Sequence, residues 1–150
     1  MNYDKGIELT FPEHQFGKVF QRYAGSVARQ GCNLSLDARL LLAAIARANN
    51  TGHAVFKSGE LRQVLSREKP DGTVKPASRS TVYDTLKKLR LAGLALPRGG
   101  ETCVWLPREF WERGLDKGAM CPVHQTWESG YVSNVDSTMA HESYDAGPMW

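Results

Sequence analysis

Two groups of side chains in this sequence have types and spacings that suit chemistry. The first is Cys121-Pro122-Val123-His124, a C-x-x-H spacing that can offer a thiolate and an imidazole to zinc. A tetrahedral site needs two further ligands. Cys103, Cys32, His53 or His141 would have to supply them from afar, and no second close pair exists. Spacing alone therefore predicts no metal and no cofactor. Cys121 with His124 is also the one nucleophile–base pairing, and nothing places a third group on it. No phosphate loop, G-x-S-x-G or H-E-x-x-H occurs, so the expectation is a protein that is not an enzyme.

The second group lies in SRSTVYDTLKKLRLAGL, residues 78–94. Arg79, Ser80, Thr81, Tyr83 and Asp84 stand on the side of a helix away from Val82, Leu86 and Leu89. Short hydroxyls permit close approach to a nucleic acid, and long side chains reach base edges. Arg79 suits guanine acceptors or a phosphate, and Ser80 and Thr81 suit phosphates or base edges. Asp84 is unfavourable near phosphate, and suits a cytosine amino group or the orientation of a neighbour. Lys87, Lys88 and Arg90 lie further along, nearer a phosphate backbone. The bland alternative for the same pattern is a solvated charged face on an amphipathic helix.

The elements that must position these residues follow from periodicity and caps. Residues 35–50 give the strongest helix signal, with Ser35 as N-cap, Asp37 in the first turn, and Leu36, Leu40, Ala43 and Ala44 on one stripe. A second helix is expected over 58–67, capped by Ser58, with Leu61, Val64 and Leu65 inward. A third runs over 79–92, capped by Ser78 or Ser80 and closed by Gly93. Between them EKPDGTVKPA reads as a loop of about ten residues, with the Asp71-Gly72 turn signal and basic Lys69 and Lys75. His53-Ala54-Val55-Phe56 is an extended link. Leu94-Ala95-Leu96 and Cys103-Val104-Trp105-Leu106 read as two strands joined through Gly99-Gly100. Nearer the N-terminus, 7–12 suits a strand, and 15–29 a helix with Phe16, Val19, Phe20, Tyr23 and Val27 on one face. Residues 108–115 suit a short helix.

The order helix, helix, loop, helix, hairpin over residues 35–107 resembles the winged helix-turn-helix DNA-binding domain of bacterial and phage regulators. SRSTVYDTLKKLRLAGLA and the hairpin after it carry that resemblance. It implies an α+β, mostly helical fold with a recognition helix in the major groove, and Arg98 in the hairpin tip as a wing residue for the minor groove or phosphate. It also implies a homodimer on double-stranded DNA. One departure stands out: the link between the second and third helices is usually a few residues, and here Arg67, Lys69 and Lys75 ride on a long one.

The totals agree with a single domain carrying extensions. Of 150 residues, 1–117 hold all 19 Lys and Arg against 12 acids, a surplus of seven positive charges. Residues 118–150 hold four acids and no Lys or Arg, so a basic body carries an acidic tail. The expected organisation is an N-terminal extension (1–34, with a dimerisation helix), a DNA-binding domain (35–116) and an acidic tail (117–150) with spaced aromatics suited to a protein partner. No apolar run reaches the ~20 residues of a membrane span. Three scattered cysteines fit a reducing compartment, so the expected location is cytoplasmic and nucleoid-associated. The function expected is a transcriptional regulator that represses by occlusion. The alternatives are a plasmid or phage replication initiator or accessory protein, and, in another class, a winged-helix protein adaptor.

Overall fold

The computed structural model describes residues 19–30, 33–111 and 120–132. In chain order these form α1 (Gln21–Gln30), α2 (Leu36–Arg47), β1 (His53–Val55), α3 (Glu60–Val64), β2 (Arg67–Glu68), β3 (Val74–Lys75), α4 (Arg79–Leu91) and β4 (Cys103–Trp105). The fold is α+β, with two small antiparallel sheets, β1–β4 and β2–β3. No helix of the described residues is long and apolar enough to cross a membrane. The strand suggested over 7–12, Phe16, Cys32 and His141 lie outside the described residues.

α2 is the central element. Ser35 caps it, its hydroxyl accepting from the Ala38 N–H at 3.3 Å. Leu40 and Ala44 are fully buried among Leu61, Leu65, Val82, Leu86, Val104 and Leu106. α1 packs on α2 through small residues, and the aromatic face stands outward. Ala24 and Ala28 are buried, and a Cβ on Gly25 would stand 3.1 Å from Ala46 Cβ, whereas Phe20 and Tyr23 are 78% and 72% exposed. Small side chains let the two helices approach closely, which turns the larger ones outward.

A buried arginine ties three helices together. From α2, Arg39 donates to the Ala28 carbonyl at 3.0 Å, the Ser66 carbonyl at 2.9 Å and the Val64 carbonyl at 2.5 Å. The carbonyls at the ends of α1 and α3 have no intrahelical donor and carry the negative end of the helix dipole. A guanidinium, always charged and rich in donors, satisfies both needs at once.

Three other expectations change. α3 is shorter than 58–67, and its N-cap is Gly59 in a left-handed conformation (φ 76°), not Ser58. The Glu60 carboxylate takes the Lys57 N–H at 2.9 Å in place of a cap hydroxyl. The supposed loop between α3 and α4 is a hairpin. Arg67 pairs with Lys75 and Glu68 with Val74, and Gly72 turns the chain at φ 80°. Asp71 Oδ1 accepts from the Thr73 N–H and hydroxyl there, which holds its carboxyl below the usual range. Finally, β4 pairs with β1 (His53 opposite Trp105, Val55 opposite Cys103), and 94–96 is no strand. The Leu94 N–H is already used by the Leu89 carbonyl, leaving Leu96 N–H to Trp105 O at 2.8 Å as the link along that edge. After β4, 108–110 form a turn over Pro107, and 112–115 are outside the described residues.

Candidate functional site

α4 begins at Ser78, whose hydroxyl accepts from the Thr81 N–H at 3.1 Å. The Ser80 and Thr81 hydroxyls each lie 2.8 Å from that same oxygen. Val82, Thr85, Leu86 and Leu89 face the core. Arg79, Ser80, Tyr83, Asp84 and Lys88 are exposed on the opposite side, with Thr81 and Lys87 half-buried. The helix closes by the two hydrogen bonds of a glycine cap: Leu94 N–H to Leu89 O at 2.9 Å and Gly93 N–H to Arg90 O at 3.0 Å, with Gly93 at φ 71°. Lys88 is 4.0 Å from Asp37, a weak ion pair back to α2.

Hydrogen bonds tie both ends of α4 to segments that carry exposed cations. At its start, Arg62 Nε donates to the Ala77 carbonyl at 2.8 Å and Ala77 N–H returns to Arg62 O at 2.9 Å. That clamp fixes the exit of the β2–β3 hairpin, where Arg67, Lys69 and Lys75 are exposed. Towards its end, Arg90 Nη2 donates to the Gly99 carbonyl at 2.5 Å. Arg90 is thus an anchor for the 97–102 turn and not an outward cation. Arg98 is exposed in that turn. The structure therefore brings Arg79, Ser80, Thr81, Tyr83, Asp84, Lys87 and Lys88 onto one helix, with Lys69 and Lys75 at its start and Arg98 near its end.

Behind that turn lies a cluster that spacing alone did not assemble. His53 of β1, Cys103 of β4, and Cys121 and His124 of the 121–126 loop place their ligand atoms within 4.8 Å of one another. Cys103 Sγ is 3.7 Å from His53 Nδ1, Cys121 Sγ is 3.6 Å from Cys103 Sγ, and Cys121 Sγ is 3.5 Å from His124 Nδ1. Each imidazole presents its other nitrogen to a carbonyl: His53 Nε2 to Glu128 O at 3.2 Å and His124 Nε2 to Arg98 O at 2.8 Å. Trp105 stacks on His53, with ring centroids 4.2 Å apart, and lies 4.9 Å from the His124 ring. Cys103 and Cys121 are buried. Burial, and then the neighbouring Cys121, push the Cys103 thiol well up. Burial also holds the His53 imidazole below its ordinary value, against the Glu128 carbonyl and with help from His124.

The expectation against a metal rested on the lack of a second close pair. The β1–β4 register supplies one. His53 and Cys103 sit two positions apart across an antiparallel ladder, on the same face. The residues expected to form a tail contribute the other two. Residues 120–132 lie against the body: Arg108 N–H donates to Gly130 O at 2.8 Å, and Arg108 Nη1 to the Tyr131 hydroxyl at 2.6 Å. A Cβ on Gly130 would fall 2.1 Å from Leu96 Cδ1, which measures how close that packing is. The later tail aromatics, Tyr144 and Trp150 among them, lie outside the described residues.

Comparison with protein-family models, curated proteins and solved structures gives no match for this chain.

Proposed function

We propose that this chain binds double-stranded DNA sequence-specifically, with α4 in the major groove and the 97–102 turn beside it as a wing. One observation carries the reading: α4 offers Arg79, Ser80, Tyr83 and Asp84 outward while the flanking segments present cations, Arg67, Lys69 and Lys75 on the β2–β3 hairpin at one end and Arg98 in the 97–102 turn at the other. Phosphate contacts position such a helix, and its N-terminal side chains read bases. The capped N-terminus of α4 adds backbone N–H groups and the positive end of the helix dipole, both suited to phosphate. The element order α2, β1, α3, α4, turn, β4 supports a winged helix-turn-helix, with the β2–β3 hairpin inserted between α3 and α4.

The biological role we infer is a transcriptional regulator that represses by occupying a promoter as a homodimer. We assign the dimer contact to α1 and the residues just before it, where Val19, Phe20 and Tyr23 are exposed.

A salt titration of duplex affinity tests the reading. Binding through several phosphates gives a log–log slope of roughly −0.9 for each phosphate neutralised. A chain that shows no duplex affinity even at low salt would instead be a protein adaptor.

A further inference from the structure

We propose that His53, Cys103, Cys121 and His124 bind one zinc ion, a structural site that fastens residues 121–124 and the 97–102 turn to the β1–β4 sheet. This inference stands independently of DNA binding.

The geometry carries it. With Zn–S about 2.3 Å and Zn–N about 2.0 Å, a tetrahedron sets its ligand atoms roughly 3.3–3.8 Å apart. The three ligand-atom distances along the cluster, 3.7, 3.6 and 3.5 Å, fall within that range. Two thiol–imidazole hydrogen bonds would use the same atoms. They would not require the two sulfurs to meet as well, nor all four ligand atoms to lie within 4.8 Å of one another.

The surroundings are those of a ligand set. Ligating histidines usually give their second ring N–H to a carbonyl or carboxylate, which fixes the tautomer and aims the bare nitrogen inward. Both imidazoles do this, through Glu128 O and Arg98 O. The His124 backbone N–H points to Cys121 Sγ at 3.5 Å, a donor placed where a thiolate carries charge. Two sulfurs and two imidazoles in a tetrahedron favour zinc over the hard cations. Four protein ligands leave no open position, which makes the site structural and not catalytic.

The charges balance. Zinc binding displaces one proton from each thiol, two in all, and the imidazoles bind neutral, so the closed site has no net charge. A neutral site is compatible with the burial of His53, Cys103 and Cys121.

The function follows from the connections. His53 and Cys103 belong to the sheet, whereas Cys121 and His124 come from a loop without regular structure. His124 also holds the Arg98 carbonyl. The ion would therefore set the position of the turn that carries Arg98.

The full chain, purified without chelator, is assayed for metal, then stripped and titrated with Co²⁺. We expect one zinc per chain, and a cobalt spectrum with the strong visible bands and sulfur charge transfer of a tetrahedral thiolate site. Cys121→Ser and His124→Ala should each weaken metal binding by at least about tenfold, while Cys32→Ser retains it. The metal content of the unaltered chain is a readout that does not depend on any variant folding. Absence of metal uptake, a cobalt spectrum without thiolate bands, uptake unchanged in both variants, or a Cys103–Cys121 disulfide by mass would each overturn the proposal.

Discussion

His124 Nε2 lies 2.8 Å from the carbonyl oxygen of Arg98, so a side chain of the cysteine–histidine cluster holds the backbone of the exposed turn near the end of α4. Arg90 holds the next carbonyl, that of Gly99, from the other side. The turn is thus gripped at two adjacent residues. Its Arg98 side chain projects from a fixed base, which limits the entropy lost when it meets a ligand.

Loosening that grip should weaken DNA binding without changing its preference. His124→Ala removes that hydrogen bond, worth about 1 kcal/mol, together with a ligand of the proposed zinc site, so duplex affinity should fall by at least about fivefold. Arg98→Ala should weaken binding as well. Fluorescence anisotropy at fixed salt checks this, and unchanged affinity in both variants would separate the turn from binding.

The β2–β3 hairpin makes a different prediction. Lys75 is exposed on β3, just before the Arg62–Ala77 clamp that sets the start of α4. If Lys75 meets a phosphate, Lys75→Ala lowers the magnitude of the salt slope by about 0.9 and leaves the preferred sequence intact. A slope equal to that of the unaltered chain would make this hairpin a bystander.

Arg39 is the strongest stability prediction. Replacing it with Met keeps bulk but removes the donors to the Ala28, Val64 and Ser66 carbonyls. The expected loss is about 3 kcal/mol, since hydrogen bonds to charged groups contribute more than neutral ones. Urea unfolding measures it, and a loss under about 1 kcal/mol would mean that water replaces the side chain.

Glu60 sets an acid dependence. Burial alone would raise its carboxyl, but the Lys57 N–H and the Arg47 guanidinium together hold it below the ordinary value of 4.5. Arg47 pairs with Glu60 across α2 and α3. The folded state therefore binds the proton less readily than the unfolded chain. The stabilisation is fully present above about pH 5 and fades as the pH falls through and below the ordinary carboxylate range. Glu60→Gln should be less stable at pH 6 and show a flatter decline from pH 6 to 3. Parallel curves would contradict this.

Much of this architecture is legible in the sequence where the signal is local. Ser35 and Ser78 cap their helices, and Gly93 takes the left-handed turn after α4, because a cap is decided within four residues. The alternation of Val82, Leu86 and Leu89 with the outward cations likewise needs only the helical period. What escaped is what depends on pairing at a distance. β2 and β3 are two residues each, too short for periodicity, although Asp71-Gly72 marked the turn between them. The cysteine–histidine cluster needed the β1–β4 register, which joins residues about 50 apart. A usable signal existed: His53 and Cys103 each begin an apolar run, HAVF and CVWL. Pairing those two runs would have set His53 beside Cys103 as the second close pair.

The central claim is tested most directly by selecting duplex DNA from a random library with the unaltered chain and with Arg79→Ala in parallel. The expected result is a recovered motif with two-fold symmetry, reflecting a dimer, and its loss or relaxation at one position in Arg79→Ala, a change worth about 1–3 kcal/mol. Failure to enrich any sequence at low salt, or an identical motif from both proteins, would contradict the assignment of base reading to the start of α4.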